Sequence, residues 1–315
     1  MENIWFRYGG LVAMGVFVAV LPAVLANNYH YDVAANAMLN ATVCVGLNLL
    51  IGYTGQISLG HAGFFALGAN GSAILTSRYG LPALPALVAS AIGVGFLAYL
   101  VGRPILKLKG HYLAMATLGF GVIIYIVLKT EAWLTGGPDG LSVPGFRILD
   151  YRIRGDRMWY WVAGPLLLVS VWLALNLVSS PIGRALRAVH TSEVGAEVVG
   201  VRTAHYKVLV FVVSAVFASI VGSVFAHKSG FITPEISGFM FSVIFVAMVV
   251  VGGMASIYGS VIGAVLLTLL PQLLVSFDHF EQVMLGAIMM ATMIFLPKGV
   301  VPSLGILVNK MRRRQ

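Results

Sequence analysis

VLVFVVSAVFASIVGSVFAH fills residues 208–227, twenty consecutive positions without an Asp, Glu, Lys or Arg. A helix needs about 20 mostly apolar residues to cross a hydrocarbon core of roughly 30 Å, so this run reads as a membrane span on its own. Working outward from it, comparable apolar runs lie at 10–26, 32–52, 61–77, 84–102, 112–129, 160–178, 239–257, 260–276 and 282–296. The whole chain of 315 residues is 59% hydrophobic and 10% charged, against roughly 45–50% and about 25% for soluble domains. The expected fold is therefore an all-α polytopic membrane protein with about ten transmembrane helices, in a range of about eight to ten. Residues 1–315 form a single transmembrane domain, with little chain left for a soluble one.

Charge separates the two sides of the bilayer. The net charge of +9 does not mark a nucleic-acid binder, which needs a basic face in polar surroundings; here the bases stand at the ends of apolar runs. With the N-terminus inside and ten alternating spans, the inner side holds 13 Lys and Arg against three acids. The outer side then holds seven bases against eight acids. This positive-inside bias places both termini in the cytoplasm. Residues 1–26 imitate a secretory signal through Arg7, the apolar run from Leu11 to Leu25 and Ala26, but Glu2, Trp5, Phe6 and Tyr8 suit a retained interfacial anchor better. The single Cys44 supplies neither an intrachain disulfide nor a cysteine metal site. His30, His190, His205, His227 and His279 are scattered without ligand spacing, so no metal site is expected.

Two connections are too long for simple turns. Residues 130–159 are rich in Gly and Pro with interleaved charges and read as a structured external loop. Residues 179–206 form an inner loop in which Thr191 or Ser192 caps a short helix through Glu193, Ala196 and Glu197 to a stop at Gly200. Such a helix either docks into a cytoplasmic partner or rests as a solvated loop against lipid head groups. Residues 298–315 are a basic cytoplasmic tail ending in Arg312, Arg313 and Arg314.

Interruptions of the apolar runs are the candidate sites. Asn48 to Ala69 reads NLLIGYTGQISLGHAGFFALGA, a segment crowded with glycines at membrane depth. Irregular backbone survives there only inside protein or beside a polar cavity. Asn36, Asn40, Cys44 and Asn48 precede it at helical spacing on one slowly drifting face. Asn40, Asn48, Gln56, Ser58 and His61 are thus candidate linings of a solute path; the alternative is close packing, with Asn and Ser bonding across helices. A second break, VVGGMASIYGSVIGAV at 250–265, fits helix packing or a tight inner turn. The spans carry no ladder of buried charges for ion coupling. No G-x-x-x-x-G-K-[ST] phosphate loop occurs either, so any ATP is hydrolysed on another chain. The chain is not expected to be an enzyme.

LNLLIGYTGQISLGHAGFFALGA (47–69), GHYLAMATLGFG (110–121), LTGGPDGL (134–141), GRALRAV with AHYK (183–207) and VGGMASIYGSVIGA (251–264) together resemble the permeases of branched-chain amino-acid ABC importers, LivM-type subunits above all. The resemblance extends over about residues 47–274, while the first 46 match nothing placed. It implies a permease of the bacterial inner membrane that imports Leu, Ile or Val, with a second homologous permease, two cytoplasmic ATPase subunits carrying ATP and Mg, and an external solute-binding protein. Relatives also move urea or short-chain amides. The loop at 179–206 then resembles a coupling loop on an ATPase, with Arg184, Arg187, Glu193 and Glu197 setting register and Ala196 and Gly200 permitting close approach. On this reading Ala196→Arg leaves insertion intact and abolishes transport. A stand-alone carrier, which would transport without partners, is the competing expectation. A purely structural subunit, indifferent to changes at Asn48, Gln56 and His61, is the third.

Overall fold

The computed structural model describes residues 4–25, 27–148, 151–274, 281–296 and 299–303; the basic end of the tail lies outside them. Its helices are α1 (Ile4–Val20), α2 (Asn28–Thr54), α3 (His61–Ser77), α4 (Ala83–Ile105), α5 (His111–Thr130), α6 (Ala132–Thr135) and α7 (Asp156–Ser179). There follow α8 (Pro181–Thr191), α9 (Glu193–Val198), α10 (Thr203–Ser229), α11 (Phe239–Gly252), α12 (Ile257–Leu274) and α13 (Glu281–Phe295). Six of these, α2, α4, α5, α7, α10 and α12, are long and apolar enough to cross a membrane, and shorter apolar helices cover Tyr8–Ala23 and Phe239–Gly252. The chain is an all-α, multi-pass membrane protein.

Burial ranks the helices. In α2, 83% of the apolar window is buried, and 67% in α10, against 28% in α5; α2 and α10 are the axis of the bundle. α10 packs on α3, α4 and α2, while α2 packs on α7 and α12 as well. Lipid gives apolar helices no hydrophobic reason to associate, so close approach must come from small residues and interhelical hydrogen bonds. The α3–α10 crossing shows both. A Cβ on Gly222 would collide with the Phe65 carbonyl, and one on Gly68 with the backbone of Ser219. The Gly68 carbonyl accepts from Ser223 at 2.9 Å and from Ser90 of α4 at 3.0 Å, joining three helices at one point. α1 is fixed to α7 by the Tyr160 hydroxyl, which donates to the Val18 carbonyl at 2.6 Å.

Beyond one end of the bundle, the connection from α5 to α7 is ordered over its described part. Strand β1 (Leu141–Ser142) pairs with β4 (Phe231–Ile232), just past α10, and β2 (Arg147–Ile148) pairs with β3 (Tyr151–Arg152). Val143 donates to the Gly230 carbonyl at 2.9 Å. At the opposite end, residues 181–198 form a pair of helices where the sequence suggests one. Ser180 caps α8 by accepting from the Ile182 amide, with Pro181 in the first turn, where its missing N–H costs nothing. Ile182, Ala185, Leu186 and Val189 give α8 its inward face.

Candidate functional site

The break between α2 and α3 is real and lies at depth. α2 ends where Gly55 takes φ +70°, a left-handed conformation that suits glycine, and α3 begins at His61. His61 Nε2 lies 2.6 Å from Ser214 Oγ, and Ser214 stands about 16 Å along α10 at 1.5 Å per residue. Six residues of irregular chain thus occupy one half of the membrane. Their backbone is satisfied from neighbours: Leu59 N–H donates to Thr117 Oγ1 at 3.1 Å, and Ala62 N–H to Ser242 Oγ at 3.0 Å. Ser58 Oγ meets His61 Nδ1 at 2.9 Å, so Ser58, His61 and Ser214 form a buried chain of hydrogen bonds. Gln56 is buried too, and its Oε1 has no hydrogen-bond partner among the described residues.

The predicted path residues do not converge. Ser58 and His61 are together, but Asn48 is turned away from them and holds the turn between α11 and α12. Its Nδ2 donates to the Ser256 carbonyl at 2.7 Å, and its Oδ1 accepts from the Ala255 N–H at 3.0 Å. Ala255 sits at φ +58°, unfavourable for a residue with a Cβ. Cys44, the next polar position up the stripe, is wholly buried against Met248. Asn40 belongs to a different group. It donates to Thr268 Oγ1 at 3.0 Å, and with Asp32 and Asn36 it lines one half-buried face of α2.

That face forms a polar seam which sequence reading credited only at Asn36 and Asn40. Lys228 of α10 pairs with Asp32 and donates to Asn36 Oδ1 at 2.9 Å, while Asn36 donates to Asp32 Oδ2 at 3.1 Å. Tyr29 and Gln272 bond to each other on the same side. Beside the seam is a cavity of about 220 Å³ lined by Asn36, Leu39, Asn40, Phe65, Phe225, Phe241 and Phe245. His227, the neighbour of Lys228, was also passed over. It is buried between Ser72 Oγ, at 2.9 Å from Nε2, and the Pro144 carbonyl, at 3.0 Å from Nδ1. Its sequence signal was its place beside Lys228 in the last turn of a helix whose one other charged residue, Lys207, lies at the opposite end.

At the far end, Ser192 caps α9 by accepting from the Gly195 amide at 3.1 Å, and the helix stops at Gly200, φ +84°. Glu193 pairs with Lys207 of α10 and, at 3.4 Å, with Lys109. Burial alone would raise its pKa, but the hydrogen bonds and charges of Lys207 and Lys109 outweigh it and hold the carboxyl below the usual range. Glu197 accepts from the Thr203 hydroxyl at 2.7 Å. Arg187 donates to the Val178 carbonyl at 3.1 Å, and Arg184 is exposed. Ala196 is 3% exposed and packs against the protein itself. An arginine there would break the packing of α9 itself. The outward surface of α9 is apolar, with Val194, Val198 and Val199 at 66%, 83% and 74% exposure.

Comparison with known proteins gives the family. The family described as "Branched-chain amino acid transport system / permease component" matches residues 29–296. The high-affinity branched-chain amino acid transport system permease protein LivM of Escherichia coli (strain K12) is 32% identical over 93% of this chain and 74% of its own length. LivH of Salmonella typhimurium, a permease protein of the same kind of system, is 22% identical over 82% of this chain and 90% of its own. The autoinducer 2 import system permease protein LsrC of Photorhabdus laumondii is 30% identical over 51% of this chain and 46% of its own. No solved structure matches the chain. With the family profile covering most of its length, the chain belongs to the permease components of branched-chain amino acid transport systems, a family of transporter subunits and not of enzymes.

Proposed function

We propose that this permease carries Leu, Ile or Val across the bacterial inner membrane as one subunit of an ATP-binding cassette importer. The reading is carried by the 32% identity to LivM over nearly the whole chain, and an apolar, exposed helix surface at the end of the bundle that bears most of the positive charge accords with it. In this arrangement ten helices span the bilayer, both termini are cytoplasmic, residues 130–159 face the solute-binding protein and residues 179–206 face an ATPase. Val194, Val198 and Val199 enter the ATPase groove, Arg184 and Glu197 flank them, and Glu193 passes the displacement of α9 to α10 through Lys207. A second homologous permease and two ATPase subunits complete the assembly, and ATP with Mg binds on the ATPases. The buried Ser58–His61–Ser214 chain keeps the break between α2 and α3 open to polar traffic.

Reconstitution tests the proposal. Liposomes containing this chain with its second permease, ATPases and binding protein are expected to accumulate radiolabelled leucine only when ATP is supplied, and liposomes with this chain alone to accumulate none. Uptake by the chain alone would make it a carrier in its own right and overturn the reading.

A further inference from the structure

The polar seam on α2 sits where lipid would be a poor neighbour. Asp32, Asn36 and Asn40 lie about 6, 12 and 18 Å beyond the start of α2 at 1.5 Å per residue, so the seam runs inward from the charged pair, one turn in, to Asn40. Each is half-buried in the chain, as is Thr268, and the Lys228 side chain is only 6% exposed. The contrast with α5 is informative, because its exposed side chains include Met115, Val122, Ile123, Ile126 and Val127, a surface made for hydrocarbon. Ionisable groups within a span face protein or a water-filled cavity and mark a solute or ion pathway.

The cavity beside the seam has the composition of a small-molecule site: an apolar body with a few convergent polar groups. Its 220 Å³ fall below the roughly 300–1,000 Å³ of sites for drug-sized ligands, so it suits one small solute. Phe65, Phe225, Phe241, Phe245 and Leu39 make the body. Asn36 and Asn40 are the polar groups, and Asn36 carries the cavity by one hydrogen bond to each member of the Asp32–Lys228 pair. Asn40 spends its amide hydrogen on Thr268, leaving Oδ1 to accept from a solute.

We infer that this cavity is a transit site for a zwitterionic amino acid with an aliphatic side chain. The side chain lies among the phenyl rings and the ammonium takes Asn40 Oδ1; Lys228 and Asp32 stand behind Asn36 and do not line the cavity, so the carboxylate takes Lys228 and the ammonium Asp32 once the Asn36 carboxamide gives way. A zwitterion carries the same two charges as the pair it separates, so both charged residues keep a partner throughout. An anionic solute would leave Asp32 unpaired and facing a like charge, and a cationic one would do the same to Lys228. The inference rests on the permease reading and gives it a solute-binding position.

Thiol protection tests it in the assembled importer. Cys44 is the only cysteine, so Phe225→Cys and, separately, Asn40→Cys in a Cys44→Ala background each place one thiol on the cavity; either serves if the other does not assemble. Labelling by a small cationic methanethiosulfonate is followed with and without solute. L-leucine at about ten times its half-saturating concentration is expected to slow labelling about tenfold, as occupancy requires, while L-glutamate and L-lysine leave the rate unchanged. Equal rates with and without leucine at whichever thiols assemble would overturn the site. Protection by urea or acetamide but not leucine would overturn the zwitterion assignment. Protection by leucine at either introduced thiol, together with no leucine import by the wild-type assembly, would support the site and overturn the importer reading instead.

Discussion

Asn48 holds two successive residues of a turn more than 200 positions away with one carboxamide. Replacing it with alanine removes both hydrogen bonds to the turn, leaves a void at a wholly buried position and removes what keeps Ala255 at positive φ. Each lost hydrogen bond costs about 0.5–1.5 kcal/mol, so Asn48→Ala is expected to lower the detergent-solubilised protein's Tm, whereas a solute-path residue would change uptake and leave Tm in place. The sequence marked Asn48 as a polar residue in a span but not its partner, because a spacing of four residues reports a shared face and says nothing of the helix opposite. Glu193 was legible as an acid on a short helix; its two lysine partners were not, since Lys109 and Lys207 come from different connections. Its carboxyl is held below the usual range in the fold, so the stability it lends α9 is present above the ordinary carboxylate pKa and is lost as pH falls through the lowered one. Protease cleavage within 179–206 is expected to accelerate on acidification below about pH 4.5, and Glu193→Gln to show that faster cleavage already at neutral pH.

Elements meet where side chains are smallest. Gly222→Val puts methyl groups into the Phe65 carbonyl and separates α3 from α10, so it is expected to abolish the monodisperse peak in size-exclusion chromatography. Gly93→Ala, where an added Cβ meets nothing within 4 Å, is expected to leave that peak unchanged. α9 offers the complementary test, because its valines are largely exposed. Val198→Glu is expected to preserve expression and Tm while eliminating co-purification of the ATPase and leucine uptake; retained uptake would remove α9 from the coupling surface. The sequence announced α9 through its Ser192 cap and Gly200 stop. α8 was equally announced, by Ser180-Pro181 and apolar residues at 182, 185, 186 and 189, but its arginines made the segment look like a loop.

On the scale of the molecule, each apolar run in the sequence overlaps a helix, and the run at 61–77 coincides with α3. That much follows from hydrocarbon thickness. What the runs did not carry is which helices are central, since α2 and α5 are both apolar and differ only in what surrounds them. The proposed arrangement of ten spans with both ends inside makes a further prediction: green fluorescent protein fused after Gln315 fluoresces, and alkaline phosphatase fused at Gly140 is active. Activity with the locations exchanged would invert the orientation.

α10 gathers these observations into one mechanical part. It runs 27 residues without proline, whereas α7 and α12 each carry one and α4 carries Pro85 and Pro104. One end is pinned to α9 through Lys207; the other is pinned through His227 to the Pro144 carbonyl, through Lys228 to α2, and through β4 to β1. It is a connecting rod some 40 Å long at 1.5 Å per residue, with its bearings at the tips and no joint along its length. The helix thus joins the α9 end of the bundle, through Lys207 and Glu193, to the Asp32–Lys228 pair beside the aromatic cavity at the other.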